Sequence, residues 1–211
     1  MRISLIGMSG SGKSYWSSML AESGFKRYCC DDLIAEKLSS ELKRRDGKVL
    51  TLGEWMGFPF EPGYVEREAA YLAREKAVLS EVLGRLEEDG RAGGRENVVV
   101  DTTGSVIYTG GVLLKRLKAL TIVAHFTSPP SARDEMLREY AASPRPVLWR
   151  GLFSMKTGES EGEALARCYE VLLESRERLY RELADVAIEY DARRDPGFGI
   201  PDFLALVESK R

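Results

Sequence analysis

A chain of 211 residues, 44% hydrophobic and 30% charged, has the size and balance of one globular domain with a buried core. Its formal net charge of −2 excludes a protein devoted to gripping a nucleic-acid backbone, so any cationic site is local. Cys29, Cys30 and Cys168 have neither metal-ligand spacing nor a disulfide pattern, and no apolar run approaches ~20 residues, so a cytoplasmic protein with reduced thiols and no membrane partner is expected.

Short apolar runs alternate with longer helical patterns, which predicts an α/β domain on a parallel sheet, with strands at about 2–6, 26–30, 96–101, 120–126 and 186–190. Straight after the first strand, Gly7-Met8-Ser9-Gly10-Ser11-Gly12-Lys13-Ser14 spells a complete phosphate-binding loop. Its glycines let the backbone curl so that successive N–H groups face phosphate oxygens, while Lys13 reaches the outer phosphates and the Ser14 hydroxyl is placed to hold Mg²⁺. Gly7, Ser9, Gly10, Ser11, Gly12, Lys13 and Ser14, with Tyr15 next in line, are therefore the expected nucleoside-triphosphate contacts. The first helix runs from this loop through Leu20 and stops at Gly24, a residue suited to the left-handed turn that ends helices.

At the end of the second strand stand Asp31 and Asp32, where either one contacts a substrate hydroxyl or both simply cap the helix through Leu33, Ile34 and Leu38. Residues 46–63 read as a loop or small lobe, followed by a long helix with Val65, Leu72, Leu79, Val82 and Leu86 on one face, broken at 89–94. The third strand ends in Asp101-Thr102-Thr103-Gly104. Asp101 either holds Mg²⁺ through water, accepts a substrate proton, or caps the next turn, and Thr102, Thr103 and Ser105 bring hydroxyls to the ligand-binding edge of the sheet. Residues 141–162 lack helical periodicity and carry Arg145 and Arg150, which fits a mobile lid or a solvated surface loop. Another helix is expected over about 162–184, with Leu165, Tyr169, Leu172, Leu179 and Leu183 on its apolar face, and a short one over 200–207. Arg176 completes that apolar stripe, and a buried guanidinium needs a partner: a structural carboxylate, or the carboxylate or phosphate of a substrate.

Taken together, these segments resemble the shikimate kinase family of small P-loop kinases over most of the chain. The phosphate loop carries the resemblance, joined by Asp31 and Ile34 as a D-x-x-I, by Arg145-Pro146-Val147-Leu148, and by Ser175-Arg176-Glu177-Arg178-Leu179-Tyr180. Asp191-Ala192-Arg193-Arg194-Asp195-Pro196-Gly197 adds a further match. The resemblance implies a P-loop three-layer sandwich on a five-stranded parallel sheet of order 2-3-1-4-5. It implies one domain over 1–211, with a substrate-binding segment at about 32–90 and a lid at about 141–162. ATP and Mg²⁺ are the implied cofactors, and a monomer or weak homodimer the implied state. By the same resemblance Asp31 orients the acceptor hydroxyl, Arg145 reaches the transferring phosphate, Arg176 binds the acceptor's carboxylate, and Arg138, Arg194 and Pro196 pack on the adenine.

The chain departs from the family pattern at several points. Thr102-Thr103-Gly104 replaces a glycine triplet at the substrate ring, and Cys29 replaces the first acid of a D-x-D, which moves a metal or base role to Asp101. Val65 stands where the family has a second carboxylate-binding arginine, which leaves Arg67, two positions on, as the expected second acceptor contact, and Glu68 matches the family's glutamate. The expected function is an ATP-dependent kinase acting on a hydroxyl of a small anionic metabolite. The alternatives are a kinase for a nucleotide or other sugar acid, or an ATP-binding accessory protein.

Overall fold

Parallel strands can be joined only by crossovers, and here every crossover is helical. The computed structural model describes residues 1–94 and 96–209. In chain order the elements are β1 (Arg2–Ile6), α1 (Lys13–Glu22), β2 (Lys26–Cys29), α2 (Cys30–Lys37), α3 (Ser39–Leu42), α4 (Leu52–Met56) and α5 (Tyr64–Arg91). They continue with β3 (Val98–Asp101), α6 (Gly111–Leu120), β4 (Ile122–Phe126), α7 (Arg133–Ala142), α8 (Glu161–Leu183), β5 (Val186–Ile188) and α9 (Ile200–Glu208). The strands form one parallel sheet of order β2-β3-β1-β4-β5, as the family resemblance implied.

Period-two alternation divides the core. Ile3, Leu5, Val99, Ala124, Phe126 and Ile188 turn to one face, where Trp16 and Leu20 of α1 and Phe203 and Val207 of α9 cover them. Ile6, Val98, Val100 and Val123 turn to the other face, under Ile34 of α2, Leu79 and Val82 of α5, Leu117 of α6 and Leu172 of α8. The result is a three-layer sandwich with helices on both faces of the sheet.

Register decides where chemistry can gather. Leu5 and Cys29 both pair with Asp101, and Ile6 pairs with His125, so four strands end level at their carboxyl edge. The segments that follow them therefore emerge side by side: the phosphate loop, Asp31, and Thr102–Gly104. Ligands of open α/β sheets bind at such an edge.

Several elements differ from the sequence reading. Asp31 and Asp32 do not cap α2; its N-cap is Cys29, without a side-chain bond, and both acids sit in the first turn, where they complement the helix dipole. Residues 46–63 are not all loop, because Thr51 and Glu54 form a capping box that starts α4. Val65 lies on the open side of α5 and is 70% exposed, so the buried face is instead carried by Tyr64, Glu68, Tyr71, Leu72 and Glu75. Helices α6 and α7 are additional to the expected set. All three cysteines are free thiols, and burial pushes the Cys29 thiol up to about 12, which keeps it an inert packing group. Among the described residues no helix is long and apolar enough to cross a membrane.

Candidate active site

The phosphate loop turns under tight steric limits. Gly7 has φ 143°, and a Cβ there would lie 2.8 Å from the Phe126 carbonyl oxygen, so only glycine fits. The Ser11 N–H donates to Met8 O at 3.1 Å, and Lys13 Nζ donates to Gly7 O at 2.9 Å and Met8 O at 3.0 Å. Lys13 is buried, and that desolvation lowers its pKa, against the upward pull of Asp101 and Asp31.

Above the loop opens a cleft of about 660 Å³. Ser9, Gly10, Gly12, Lys13, Ser14 and Tyr15 form its floor; Asp31, Asp32 and Ala35 of α2 form one wall, with Thr51, Leu52 and Gly53 at the start of α4. Gly104, Glu139, Pro144, Arg145 and Pro146 complete it. Arg145 pairs with Glu139 at 3.2 Å, and one of its guanidinium nitrogens would lie 3.0 Å from a Cβ placed on Gly10. A cation thus stands directly over the phosphate loop.

The segment carrying Arg145 is anchored on both sides. A Cβ on Gly53 would fall 1.7 Å from the Pro144 carbonyl oxygen, so α4 meets this segment backbone to backbone. Farther along, Val147, Leu148 and Trp149 are buried. The Tyr64 hydroxyl donates to Val147 O at 2.7 Å and accepts the Trp149 N–H at 3.1 Å, and Glu68 accepts the Arg150 N–H at 2.8 Å. Residues 147–149 root this segment in the core, so a solvated surface loop does not describe it, and Arg145 projects from the part nearest the cleft.

A buried polar layer lies beneath the cleft. Asp31 Oδ1 accepts from the Tyr71 hydroxyl at 2.8 Å, and burial raises the Asp31 pKa. Glu75 accepts from the hydroxyls of Thr103 and Ser105; burial pushes its carboxyl up from 4.5 to about 7, against the pull of those two donors. Neither Tyr71 nor Glu75 was singled out from the sequence. The signal was present, because Tyr64, Glu68, Tyr71 and Glu75 step by four, three and four along the buried stripe of α5.

Asp101, expected to hold Mg²⁺ or take a proton, does not reach the cleft wall. It is 3% exposed, and its Oδ2 accepts from Ser17 Oγ at 2.9 Å and Arg27 Nη2 at 3.0 Å. Thr102 and Thr103, expected to meet the substrate, spend their hydroxyls on Leu5 O at 2.7 Å and on Glu75. Gly104 does line the cleft.

No protein-family model matches the chain, and no curated protein matches it in sequence. Solved structures do. The shikimate kinase from Aquifex aeolicus superposes with a TM-score of 0.61 at 20% identity, covering 99% of this chain and 97% of that one. The shikimate kinase from Acinetobacter baumannii, solved in complex with shikimate, gives 0.59 at 24% identity, over 97% of this chain and 88% of that one. This is a shikimate kinase-like fold. The dephospho-CoA kinase from Campylobacter jejuni matches less well, with a TM-score of 0.50 at 13% identity over 99% of this chain and 95% of that one.

Within the shikimate kinase-like fold, the two arginines expected to bind an acceptor are both engaged elsewhere. Arg67 donates to Met56 O at 2.8 Å and Pro62 O at 3.0 Å and pairs with Glu61 at 3.6 Å, which makes it a brace for the loop before α5. Arg176 is 1% exposed and does not open on the cleft. Its Nη1 donates to Gly104 O at 3.1 Å, its Nη2 donates to Leu148 O, and the Tyr108 ring lies 5.3 Å from its guanidinium carbon. Within the protein this buried cation meets main-chain carbonyls and a π face, its Nε has no partner, and no carboxylate pairs with it among the described residues. Arg138 is exposed on α7, and Arg194 stacks 4.3 Å above Tyr190 while pairing with Glu135 of α7 at 3.6 Å. Pro196 is exposed just beyond. These three lie outside the cleft.

Two tests follow from the buried layer. Replacing Arg176 by Met leaves the Leu148 carbonyl without its donor and should cost about 2–4 kcal/mol in urea unfolding; unchanged stability would show that the guanidinium ties nothing together. For Glu75, folding raises the pKa, so its protonated form stabilises the fold fully below 4.5 and that contribution fades as pH rises through about 7. A Glu75→Gln variant should therefore be more stable than the parent at pH 8, by on the order of 2–3 kcal/mol, with the gap closing toward pH 5. A gap that is flat between those pH values would show that Glu75 ionises as it does in the unfolded chain.

Proposed function

We propose that the protein is an ATP-dependent kinase that transfers the γ-phosphoryl group to a hydroxyl of a small acceptor. The observation that carries this reading is one cleft that joins the phosphate loop, Lys13, Asp31 and Arg145. A binding module needs the loop alone; a phosphotransferase also needs a hydroxyl acceptor and a cation over the transferring group.

In this reading Lys13 leaves its two carbonyls to meet the outer phosphates, while the loop N–H groups and the N-terminus of α1 hold the inner ones. Arg145 closes on the γ-phosphoryl group from the opposite side and neutralises charge that develops during transfer. Asp31 orients the acceptor hydroxyl, with Tyr71 fixing the carboxylate. Residues 32–90 then serve as the acceptor-binding segment and 141–162 as the lid. Arg138, Arg194 and Pro196 flank the adenine, a role favoured by the Glu135 bridge that draws α7 toward the turn after β5.

The donor set fits magnesium carried on the nucleotide. Ser14 opens on the cleft, where its hydroxyl can take one position of an ion held mainly by phosphates and water. Such an ion supplies charge neutralisation along the phosphates. Ser14 would give it one oxygen, and Asp101 would act from beneath through Ser17, which reaches the Ser14 carbonyl at 3.0 Å.

Acceptor-dependent ADP release by the purified protein tests the reading. Lys13→Ala should lower turnover by about 10²–10³-fold with the fold intact by circular dichroism, since its charge serves the ligand. Arg145→Ala should lower kcat by about 10²-fold while moving the KM for the acceptor little. Full turnover in the Lys13 variant sinks the ATP-site assignment. ATP binding without acceptor-dependent release makes the protein an accessory nucleotide binder.

A further inference from the structure

The charge of the acceptor can be read from the distribution of ionic groups around the cleft. Its only lining cations among the described residues are Lys13 and Arg145, and both sit at the phosphate-loop end. Lys13 rests on the carbonyls of Gly7 and Met8, and Arg145 stands over Gly10 beside Glu139. The wall beyond the phosphates is different: α2 presents Asp31 and Asp32, and the start of α4 presents Thr51, Leu52 and Gly53. Two carboxylates and a hydroxyl thus face the acceptor, with no cation among them, and Asp32 has no ion-pair partner among the described residues.

The arginines that would offset a negative acceptor are sealed away. Arg176 is 1% exposed with its terminal nitrogens on Gly104 O and Leu148 O, and Arg67 is clamped by Met56 O, Pro62 O and Glu61. Val65, at the entry to α5, carries no charge. A carboxylated or phosphorylated acceptor would therefore lie against like charge in a partly desolvated cleft, with no counter-ion but the two that the nucleotide requires.

We propose that the acceptor is a hydroxylated compound without an anionic group, a polyol or an amino alcohol, held by hydrogen bonds to the Asp31 and Asp32 carboxylates. This rests on the kinase reading above. The acceptor hydroxyl oxygen attacks the γ-phosphorus and forms the new P–O bond. The bond to the β–γ bridging oxygen breaks, and its electron pair leaves with ADP. The hydroxyl proton passes to the Asp31 oxygen that Tyr71 does not occupy. The products are a phosphate ester, ADP and one proton.

The test is ADP release by the full chain with magnesium–ATP and acceptors matched in skeleton but differing in charge. One set is glucosamine, glucose and glucuronate; another is 1-amino-1-deoxysorbitol, sorbitol and gluconate; other amino alcohols, polyols and hydroxy acids, shikimate included, extend the panel. At least tenfold higher kcat/KM for cationic or uncharged members than for their carboxylates is expected. Preference for the amine identifies an amino alcohol, and parity between amine and alcohol identifies a polyol. Asp32→Lys should shift the ratio of carboxylate to uncharged kcat/KM upward by tenfold or more, while the KM for ATP stays within a factor of about two. Turnover led by the carboxylates overturns the proposal and leaves the kinase standing. An unshifted ratio in the Asp32 variant overturns the assignment of that wall to the acceptor. If magnesium–ATP binds by calorimetry and no member of any charge class releases ADP, the kinase reading falls, and this inference with it.

Discussion

One guanidinium joins the parts of the site. Arg176 rises from the apolar stripe of α8 and touches three segments distant in sequence: Gly104 after β3, Leu148 in the connection between α7 and α8, and the Met8 sulfur in the phosphate loop, 3.4 Å away. A guanidinium cannot shed its proton to escape burial, so the surrounding backbone has to present acceptors to it. The Tyr180 hydroxyl joins it on the Gly104 carbonyl, which fixes that carbonyl from two directions. Loops that only meet at the edge of a sheet become, through this group, one rigid frame.

Charge inside that frame is arranged in layers. Cations of the cleft look toward the phosphate loop, the carboxyls of Asp31 and Glu75 are drawn toward their neutral forms by burial, and Asp101 is kept in place by Arg27 and Ser17. Hydroxyls fill the space between, with Tyr71, Thr103 and Ser105 each donating to a carboxyl group. A nearly satisfied polar network of this kind rigidifies what it touches, because losing one donor leaves its partner uncompensated. The α2 wall of the cleft is thereby preorganised, with no lining cation on it among the described residues.

Much of this was legible in the sequence, and the exceptions have physical causes. The phosphate loop and the five strands were readable because they depend on local rules: glycine conformation, period-two burial and strand-to-helix order. Arg176 was correctly placed on a buried face, yet its partners were not, since main-chain carbonyls carry no sequence signature. Val65 misled because a β-branched residue at a helix start looks like part of the apolar stripe, whereas the stripe begins with Tyr64. Glu75 escaped notice because charged residues on a long helix are ordinarily solvated, and only the tertiary fold sets hydroxyls opposite it. Helix α4 escaped for a smaller reason: five residues are too few to show a period, although Thr51-Leu52-Gly53-Glu54 is a capping sequence.

The seam between Gly53 and Pro144 is made of main chain on both sides, and main chain has no rotamers to rearrange. A side chain at position 53 acts as a wedge, prying the arm that bears Arg145 away from the floor. The start of α4 and the segment that bears Arg145 therefore meet across a contact of fixed thickness. Glycine at position 53 is thus what lets the start of α4 and the segment that bears Arg145 close together over one cleft.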